Sequence, residues 1–516
     1  MKVKGLFSII FTIISTALFA QAVETERKIY PQPELTPEVE AIMATRVRWQ
    51  GGISTRSSTT LPEYVDNSTS KYFPPIFNQQ GGSCAQAAGV GYVFNYEMNR
   101  LRDTDASATS DNRFSYLYVW NFINEGIDQG GYASQGFSLL KEYGAMSEND
   151  YGVISTYSYK WATGYDKYLN AIKHKVDQMY VFDNDSYENI EVIKSYLYDK
   201  GDGLTGGGLL TFAAYSTGWS FNSNYSGPSN TGYKCLLTGL ASDGAHAMTI
   251  VGYDDAVESY NSGGEKCYGA FIAVNSWGSY QHDNGRYYLP YHYFAERTAG
   301  MSENILSSTM DAISVKVSEP EVVLRVKLDY SSRDDLSMQY GASQSYDATL
   351  PVEKFNLSII KNQGGDYPMQ GQYSSSSELE FAVDISTLFE RYDNPVRIYL
   401  NVLSAQRGSV YGSGNVSSVE VYDYRNDSLL PDIYEAQMDA SQDLGLGDNY
   451  YTLTPKAVSA SEYQYRGSDN KLKSYYIRRA DGSYSKIEID ASNYYYGDKL
   501  IIKHRSNLKG GTNLDN

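Results

Sequence analysis

Apolar residues at Ala87, Val90, Phe94, Met98 and Leu101 recur at three- and four-residue steps, the period of a helix that buries one face. The spacing predicts a helix from Cys84 to Leu101, although Gly89 and Gly91 inside it lower its propensity. Two further helices are expected over Phe114 to Ile123 and Ser134 to Tyr143. The pattern then changes. Ala247 to Tyr253 and Ala270 to Val274 are unbroken apolar runs, rich in small or β-branched residues and bounded by turn-formers, and they read as buried strands. Beyond about Asp311 helical patterns nearly vanish. Leu324, Val326 and Leu328 alternate with Arg325, Lys327 and Asp329. Leu379, Phe381, Val383 and Ile385 alternate in the same way, as do Ile398, Leu400 and Val402. Period-2 strands between Gly, Ser and Asn turns predict a β-sandwich.

These patterns divide the chain. Residues 61–308 mix helices and strands, which makes that part α+β. Residues 311–430 are expected to be the all-β sandwich, and residues 431–516 a further small β module. Residues 21–60 are polar and carry Pro31, Pro33, Pro37 and the Ser/Thr cluster Ser54 to Thr60; they read as a linker or short pro-segment. A length of 516 residues suits two or three domains.

Composition narrows the function classes. A formal charge of −18 makes nucleic acid an unfavourable partner, because phosphate binding needs clustered cations. Fifty tyrosines with modest Lys and Arg suit β-sheet surfaces. The opening Met1-Lys2-Val3-Lys4, the apolar run Leu6 to Phe19 and the small residues Ala20-Gln21-Ala22 have the layout of a secretory signal peptide over residues 1–20. That run is shorter than the ~20 residues a spanning helix needs. No cysteine follows it, so no lipid anchor is indicated and no membrane span is expected. Location outside the cytoplasm (secreted, periplasmic or at the cell surface) is the expectation. The three cysteines, Cys84, Cys235 and Cys267, leave an odd thiol in such a compartment. Cys235 and Cys267 flank the strand around His246, and adjacent strands could bring them within the ~4.4–6.8 Å between Cα atoms that a disulfide needs; pairing and free thiols are both open, and Cys84 is left over.

Three segments carry candidate chemistry. Asn78-Gln79-Gln80-Gly81-Gly82-Ser83-Cys84 places a cysteine at the opening of a helix, where the dipole and unpaired N–H groups stabilise a thiolate. A side-chain amide just upstream could join the Cys84 N–H in holding an oxyanion. Taken alone, Cys84 reads equally well as a buried structural thiol. Gly244-Ala245-His246-Ala247 begins an apolar strand with a histidine between alanines; a satisfied core histidine is the competing reading. His174, His282, His292 and His504 sit in polar or tyrosine-rich contexts and are expected at the surface. Val274-Asn275-Ser276-Trp277-Gly278 offers an asparagine that can orient an imidazole and a tryptophan that can shield the bond.

Together the order Gln, Cys, His, Asn and the Asn275-Ser276-Trp277-Gly278 run resemble the papain family of cysteine peptidases. The likeness covers Leu61 to Phe294. It includes the opening Leu61-Pro62-Glu63-Tyr64-Val65-Asp66, the approach Pro74-Pro75-Ile76-Phe77-Asn78-Gln79 and the glycine loop Gln129-Gly130-Gly131-Tyr132-Ala133. The resemblance implies a two-lobed fold, one lobe helical and the other barrel-like, that hydrolyses polypeptides through a thioester without metal or organic cofactor. It implies Cys84 as nucleophile, His246 as base then acid, Asn275 as orienter and Gln79 as oxyanion donor. Trp277 would cover the triad, Gly130 and Gly131 would bind substrate backbone, and Tyr132, Ala133 and Ala247 would line the main pocket. This chain departs from the pattern in several places. Ala85-Gln86 follows Cys84 where tryptophan is usual, the structural cysteine just upstream is absent, and Gln79 stands one residue close, so Gln80 is an alternative. Asp254 to Lys266 looks like an enlarged turn. Arg333-Asp334-Asp335-Leu336 resembles part of the jelly-roll P domain of some secreted proteases; a solvated charged turn is the alternative. The C-terminal β region is expected to form its own core and to serve in targeting or docking at a cell surface or matrix. Two rival functions are a Cys–His acyl transferase and a non-catalytic binding protein with a degenerate protease domain.

Overall fold

A computed structural model describes residues 29–50, 60–152, 159–296, 306–345, 347–372, 376–392, 397–407, 412–425, 431–436 and 443–455, and the backbone of strands at 464–466, 472–478 and 484–488. The expected signal peptide, most of the Ser/Thr cluster and His504 lie outside the described residues.

The helix expected from Cys84 is one continuous run of three parts. An α-turn Cys84–Gln86 leads into a π-helical stretch Ala87–Phe94, and α-helix Asn95–Arg102 completes it. The wide π turns need local side-chain partners for the carbonyls they displace. Asn95 supplies them, its Nδ2 donating to Val90 O at 2.9 Å and Gly91 O at 3.2 Å. Gly91 is needed for contact rather than for conformation, since a Cβ there would stand 2.5 Å from Phe77 Cζ. Helices Tyr116–Ile123 and Ala133–Tyr143 pack beside this one.

The opposite lobe is built on a ten-stranded sheet. At its centre Leu210–Thr217, Asp243–Tyr260, Lys266–Val274 and Arg286–Pro290 lie side by side and antiparallel. Small residues run along the helix-facing side of Asp243–Tyr260, and Thr249 Oγ1 donates to Ala88 O at 3.2 Å. The helix N-terminus therefore sits directly on that strand. Asp254 to Tyr260, expected in an enlarged turn, instead continues the strand through a bulge and pairs with Lys266 to Ala270. Only Asn261 to Glu265 turns.

The sheet also extends past the expected boundary at Ser308. Thr309–Val317 pairs antiparallel with His174–Asp183 along its whole length, burying Met310, Ala312 and Ile313. The C-terminal region is an eight-stranded antiparallel sheet, Val322–Tyr330 through Gly447–Pro455. Asp432–Ala436 and Gly447–Pro455 are members of that sheet, and the latter fits between Arg397–Ser404 and Asp432–Ala436. The expected division at residue 431 therefore falls inside a sheet; among the described residues, the strands at 464–466, 472–478 and 484–488 form a separate three-stranded one.

Nor does the C-terminal sheet keep a core to itself. Its buried face and the helical lobe belong to one continuous apolar cluster, from Phe94 and Trp161 to Val326 and Leu400. Arg333, fully buried, fastens the two. Its guanidinium lies 4.5 Å from the Trp161 ring centroid and donates to Tyr159 O and Gly364 O, both at 2.8 Å. Asp335 is also buried, accepting from the Arg407 and Gly412 N–H groups. The solvated-turn reading of Arg333-Asp334-Asp335 is thereby overturned for its first and third residues. A charge removed from water is retained only where such partners compensate it.

A chain ending at Ser308 loses the strand that covers Met179 and Phe182, and is expected to lose cooperative thermal unfolding and near-ultraviolet circular dichroism. A sharp transition with native near-ultraviolet signal in that truncated chain would show the strand dispensable.

Candidate active site

Gly81 and Gly82 bring the chain round to Cys84. A Cβ at Gly82 would stand 2.6 Å from the Gln129 carbonyl carbon, so only glycine allows this loop to lie against the Gln129-Gly130-Gly131 segment. Asp128 closes the contact, accepting from Gly82 N–H at 2.8 Å. Ser83 precedes the helix without capping it; its hydroxyl donates to Gln80 O instead. The N–H groups at the helix start are thus left for the thiol. Burial pushes the Cys84 thiol above its ordinary range, and the N–H groups of Ala247, Ala85 and Cys84 pull it the other way. Ala85, Ala88 and Ala247 pack around the Cys84 side chain.

His246 lies in the strand Asp243–Tyr260, buried, opposite Ala214. Its Nε2 is 2.9 Å from Asn275 Oδ1. The amide orientation that lets Nε2–H donate there also turns Asn275 Nδ2 away from the His246 ring. The Trp277 ring stacks on His246 at 4.3 Å between centroids and 20° between planes. Asn275 follows directly on the strand Lys266–Val274, and its own N–H donates to Gly285 O. Cys84 and His246 line one cavity of about 220 Å³ with Gly130, Gly131, Tyr132, Ala133 and Ala247. Gln79 lies at the junction of the loops. Its N–H donates to Ser276 O at 2.7 Å, its Oε1 accepts from Ser276 Oγ at 2.6 Å, and its Nε2 donates to Gly81 O at 2.9 Å.

Two features were not expected from the sequence. The first is His282, assigned to the surface but found behind the asparagine. Its Nε2 is 3.2 Å from Asn275 Nδ2, and its Nδ1 is 3.7 Å from Cys235 Sγ. Because Asn275 Nδ2 can only donate, His282 must accept with Nε2 and carry its proton on Nδ1. Asn275 is therefore held from both sides, by His246 through its oxygen and by His282 through its nitrogen. The histidine is held by Phe221 and Tyr287 rings in a left-handed backbone conformation, φ 55°. Its proximity to Asn275, seven residues earlier, is the only signal the sequence held.

The second is the segment Tyr30 to Pro33, which crosses the cavity and lines it beside Cys84 and His246. Tyr30 O accepts from Ala245 N–H at 3.0 Å on the histidine side. On the glycine-loop side Pro33 O accepts from Tyr132 Oη at 2.8 Å, and Tyr30 Oη donates to the Asp128 carboxylate at 2.8 Å. Tyr215 Oη donates to Gln32 Oε1 at 2.9 Å. Downstream, Thr36 caps helix Pro37–Ala44, Arg46 pairs with Asp311 at 2.5 Å, and Trp49 stacks on Phe182.

The possible disulfide between Cys235 and Cys267 is not formed. Cys84, Cys235 and Cys267 are all free thiols. Cys235 is buried beside His282, whereas Cys267 lies at the far end of the strand Lys266–Val274, near Glu296. His292 is buried and His174 half-buried, neither at the surface as expected.

No family model matches this chain, and no curated protein matches it. The solved structures to which it is similar are papain-like cysteine proteases. Xylellain, a cysteine protease from Xylella fastidiosa, is 18% identical with a TM-score of 0.33, covering 52% of this chain and 95% of its own. A recombinant stem bromelain precursor is 16% identical with a TM-score of 0.34, covering 52% and 78%. A procathepsin B from Trypanosoma congolense is 13% identical with a TM-score of 0.36, covering 53% and 85%.

If the site hydrolyses peptides as proposed below, His282→Ala frees the Asn275 amide to rotate and is expected to lower kcat about tenfold, less than the ~10²–10⁴ that acid–base catalysis itself supplies, because the imidazole that moves the protons is retained. KM should change little, since His282 is not among the residues lining the cavity. An unchanged kcat in a folded variant would show that Asn275 needs no second partner.

Proposed function

We propose that this protein is a secreted cysteine endopeptidase that uses Cys84, His246 and Asn275. The observation that carries the reading is the bond between His246 Nε2 and Asn275 Oδ1 under the Trp277 ring, beside a cavity that His246 lines together with Cys84. With Nε2 committed to Asn275, the proton that moves in the reaction rides on Nδ1. His246 takes the thiol proton, and the Cys84 thiolate adds to the peptide carbonyl carbon. The tetrahedral oxyanion is held by the Cys84 N–H and a side-chain amide. Collapse expels the amine, which leaves with the proton from His246 Nδ1. Water then adds to the thioester with His246 as base, and the acid and free thiol are released. Trp277 keeps water from the His246–Asn275 bond, which strengthens it.

Gln79 is assigned as the amide donor. Its Nε2 is bonded to Gly81 O and has to turn from that carbonyl to reach an oxyanion, where one such donor is worth ~10²–10³ in rate. Gly130 and Gly131 would pair with the substrate backbone, and Tyr132, Ala133 and Ala247 would meet its side chains. Asparagine in place of aspartate as orienter disfavours the acyl-transferase reading, and the retained Cys84 and His246 disfavour a degenerate domain.

Tyr30 to Pro33 occupy the groove a substrate would enter, so residues 21–60 act in this reading as a pro-segment rather than a linker. No helix among the described residues is long and apolar enough to cross a membrane. Export by the leading segment and docking at a cell surface or matrix through the C-terminal strands belong to the same proposal.

Cys84→Ala is expected to abolish peptide hydrolysis and labelling by a thiol-directed epoxide while the fold persists. Asn275→Ala should cost less activity than His246→Ala, because one residue orients a ring and the other moves protons. Turnover by the Cys84→Ala variant, or equal losses in the other two, would contradict the assignment.

Tyr30 to Pro33 form a strap over the cavity of the buried Cys84 thiol, and in this reading they give it a pH dependence. Burial raises the Cys84 thiol above its ordinary range. Alkylation by iodoacetamide should accelerate only as the pH climbs past the ordinary thiol range. Tyr30→Ala with Gln32→Ala removes two anchors and should move the profile to lower pH. Superimposable profiles would mean that the strap does not control the thiol.

A further inference from the structure

At the other end of the strand that delivers Asn275 there is a second cluster of reactive side chains. Cys267 is the second residue of Lys266–Val274, so it lies ~25 Å from Asn275 at about 3.3 Å per residue. The chain returns through Arg286–Pro290 into the short helix His292–Ala295, which ends at Glu296. Glu296 N–H donates to His292 O at 2.9 Å. This closed turn puts His292 and Glu296, four residues apart, on one face. Tyr291 N–H donates to Gly269 O at 3.2 Å, which fixes that turn against the start of the cysteine's strand. As a result the Cys267 sulfur, one His292 ring nitrogen and one Glu296 carboxylate oxygen all lie within 4.8 Å of one another.

A second observation sets this group apart from a chance encounter at the surface. His292 is 5% exposed, and its Nε2 is buried without a hydrogen-bond partner. A buried polar atom left so is destabilising, and a ligand at that atom would relieve it. Glu296 is already aimed by its neighbours: Tyr187 Oη donates to Oε1 at 2.8 Å, and Asn261 Nδ2 donates to Oε2 at 3.2 Å. Such outer partners orient the carboxylates that bind metals.

We propose that Cys267, His292 and Glu296 form a zinc-binding site, with water at the fourth position. One thiolate, one imidazole and one carboxylate are a borderline-soft set that suits tetrahedral Zn²⁺ and not Ca²⁺ or Mg²⁺, which take oxygen ligands. Closing on an ion with bonds of ~2.0–2.3 Å brings the three donor atoms closer by roughly 1 Å, a shift available to the half-exposed Cys267 and the exposed Glu296. Binding exchanges the Cys267 thiol proton for the metal, and no redox step is involved. The ion would join the Asn261 to Glu265 turn, the start of the strand Lys266–Val274 and the helix His292–Ala295. Its distance from Cys84 makes it a staple of the sheet and not a participant in hydrolysis.

The test uses the full chain carrying Cys84→Ala, which removes the thiol of the proposed active site, after dialysis against a chelator. Cobalt(II) is titrated as the spectroscopic probe. One ion per chain is expected, with a thiolate-to-cobalt charge-transfer band and the visible bands of tetrahedral cobalt, both abolished by competing zinc. Adding Cys267→Ser should remove the charge-transfer band, and Glu296→Gln should weaken binding at least tenfold. At one equivalent, zinc should raise the melting temperature of the parent more than that of either variant. Both substitutions are at accessible residues, and melting without metal verifies their folding. Absence of the charge-transfer band at one equivalent of cobalt, or its persistence in Cys267→Ser, overturns the proposal.

Discussion

Close approach between a buried helix end and one strand is the constraint on which the rest of this molecule depends. Ala85 and Ala88 on the helix meet Ala247 on the strand Asp243–Tyr260, and Thr249 bonds the Ala88 carbonyl. Larger side chains at any of the three alanines would push the helix away from the sheet, and well-packed interiors do not absorb such volume without shifting backbone. Because the surfaces touch here, Cys84 and His246 share a cavity although 161 residues separate Ala88 from Thr249. The preceding loop obeys the same rule, with Gly82 set against the Gln129 carbonyl.

Around that contact the polar groups are arranged in series. His246 is held by Asn275, Asn275 by His282, and His282 stands next to Cys235. An amide has one donating and one accepting end, so a partner at each end leaves it a single orientation. The Trp277 ring closes one side. This line of groups explains why a second histidine stands near the proposed site without lining its cavity. The strap from Tyr30 to Pro33 is held by tyrosines of both sides, Tyr132 and Tyr215, together with Asp128. The same Asp128 carboxylate holds the Gly82 N–H. Strap and nucleophile loop are therefore coupled through one side chain.

The C-terminal sheet is built into this body and not merely tethered to it. Arg333 reaches the carbonyl of Tyr159 and the face of Trp161, and Lys175 pairs with Asp384 at 2.8 Å. With an apolar cluster running through both parts, removal of either exposes the interior of the other. That continuity follows from amphipathic sheets having to bury one face against something.

Much of this was legible along the chain. Apolar period set the helix from Cys84 and the strands around Val251, Ala273, Val326 and Leu400, because periodicity reports which side faces a core. The grouping of Cys84, His246 and Asn275 as candidates came from the order of three short motifs, each ambiguous alone, and from the family they resemble together. What period and motif do not carry is which distant surfaces meet. The alternation of Ile313 with its neighbours reads the same whether Thr309–Val317 joins the first sheet or the second, and only its ladder with His174–Asp183 decides. Arg333 looks like a surface charge until Trp161 and two carbonyls surround it. His282 and His292 sit among polar neighbours in sequence, yet one backs Asn275 and the other is buried beside Cys267 and Glu296. Sequence determined most of the elements and nominated the candidate residues, since those depend on neighbours within a few positions. The tertiary structure alone decided the pairings, since burial of a polar group depends on what folds over it.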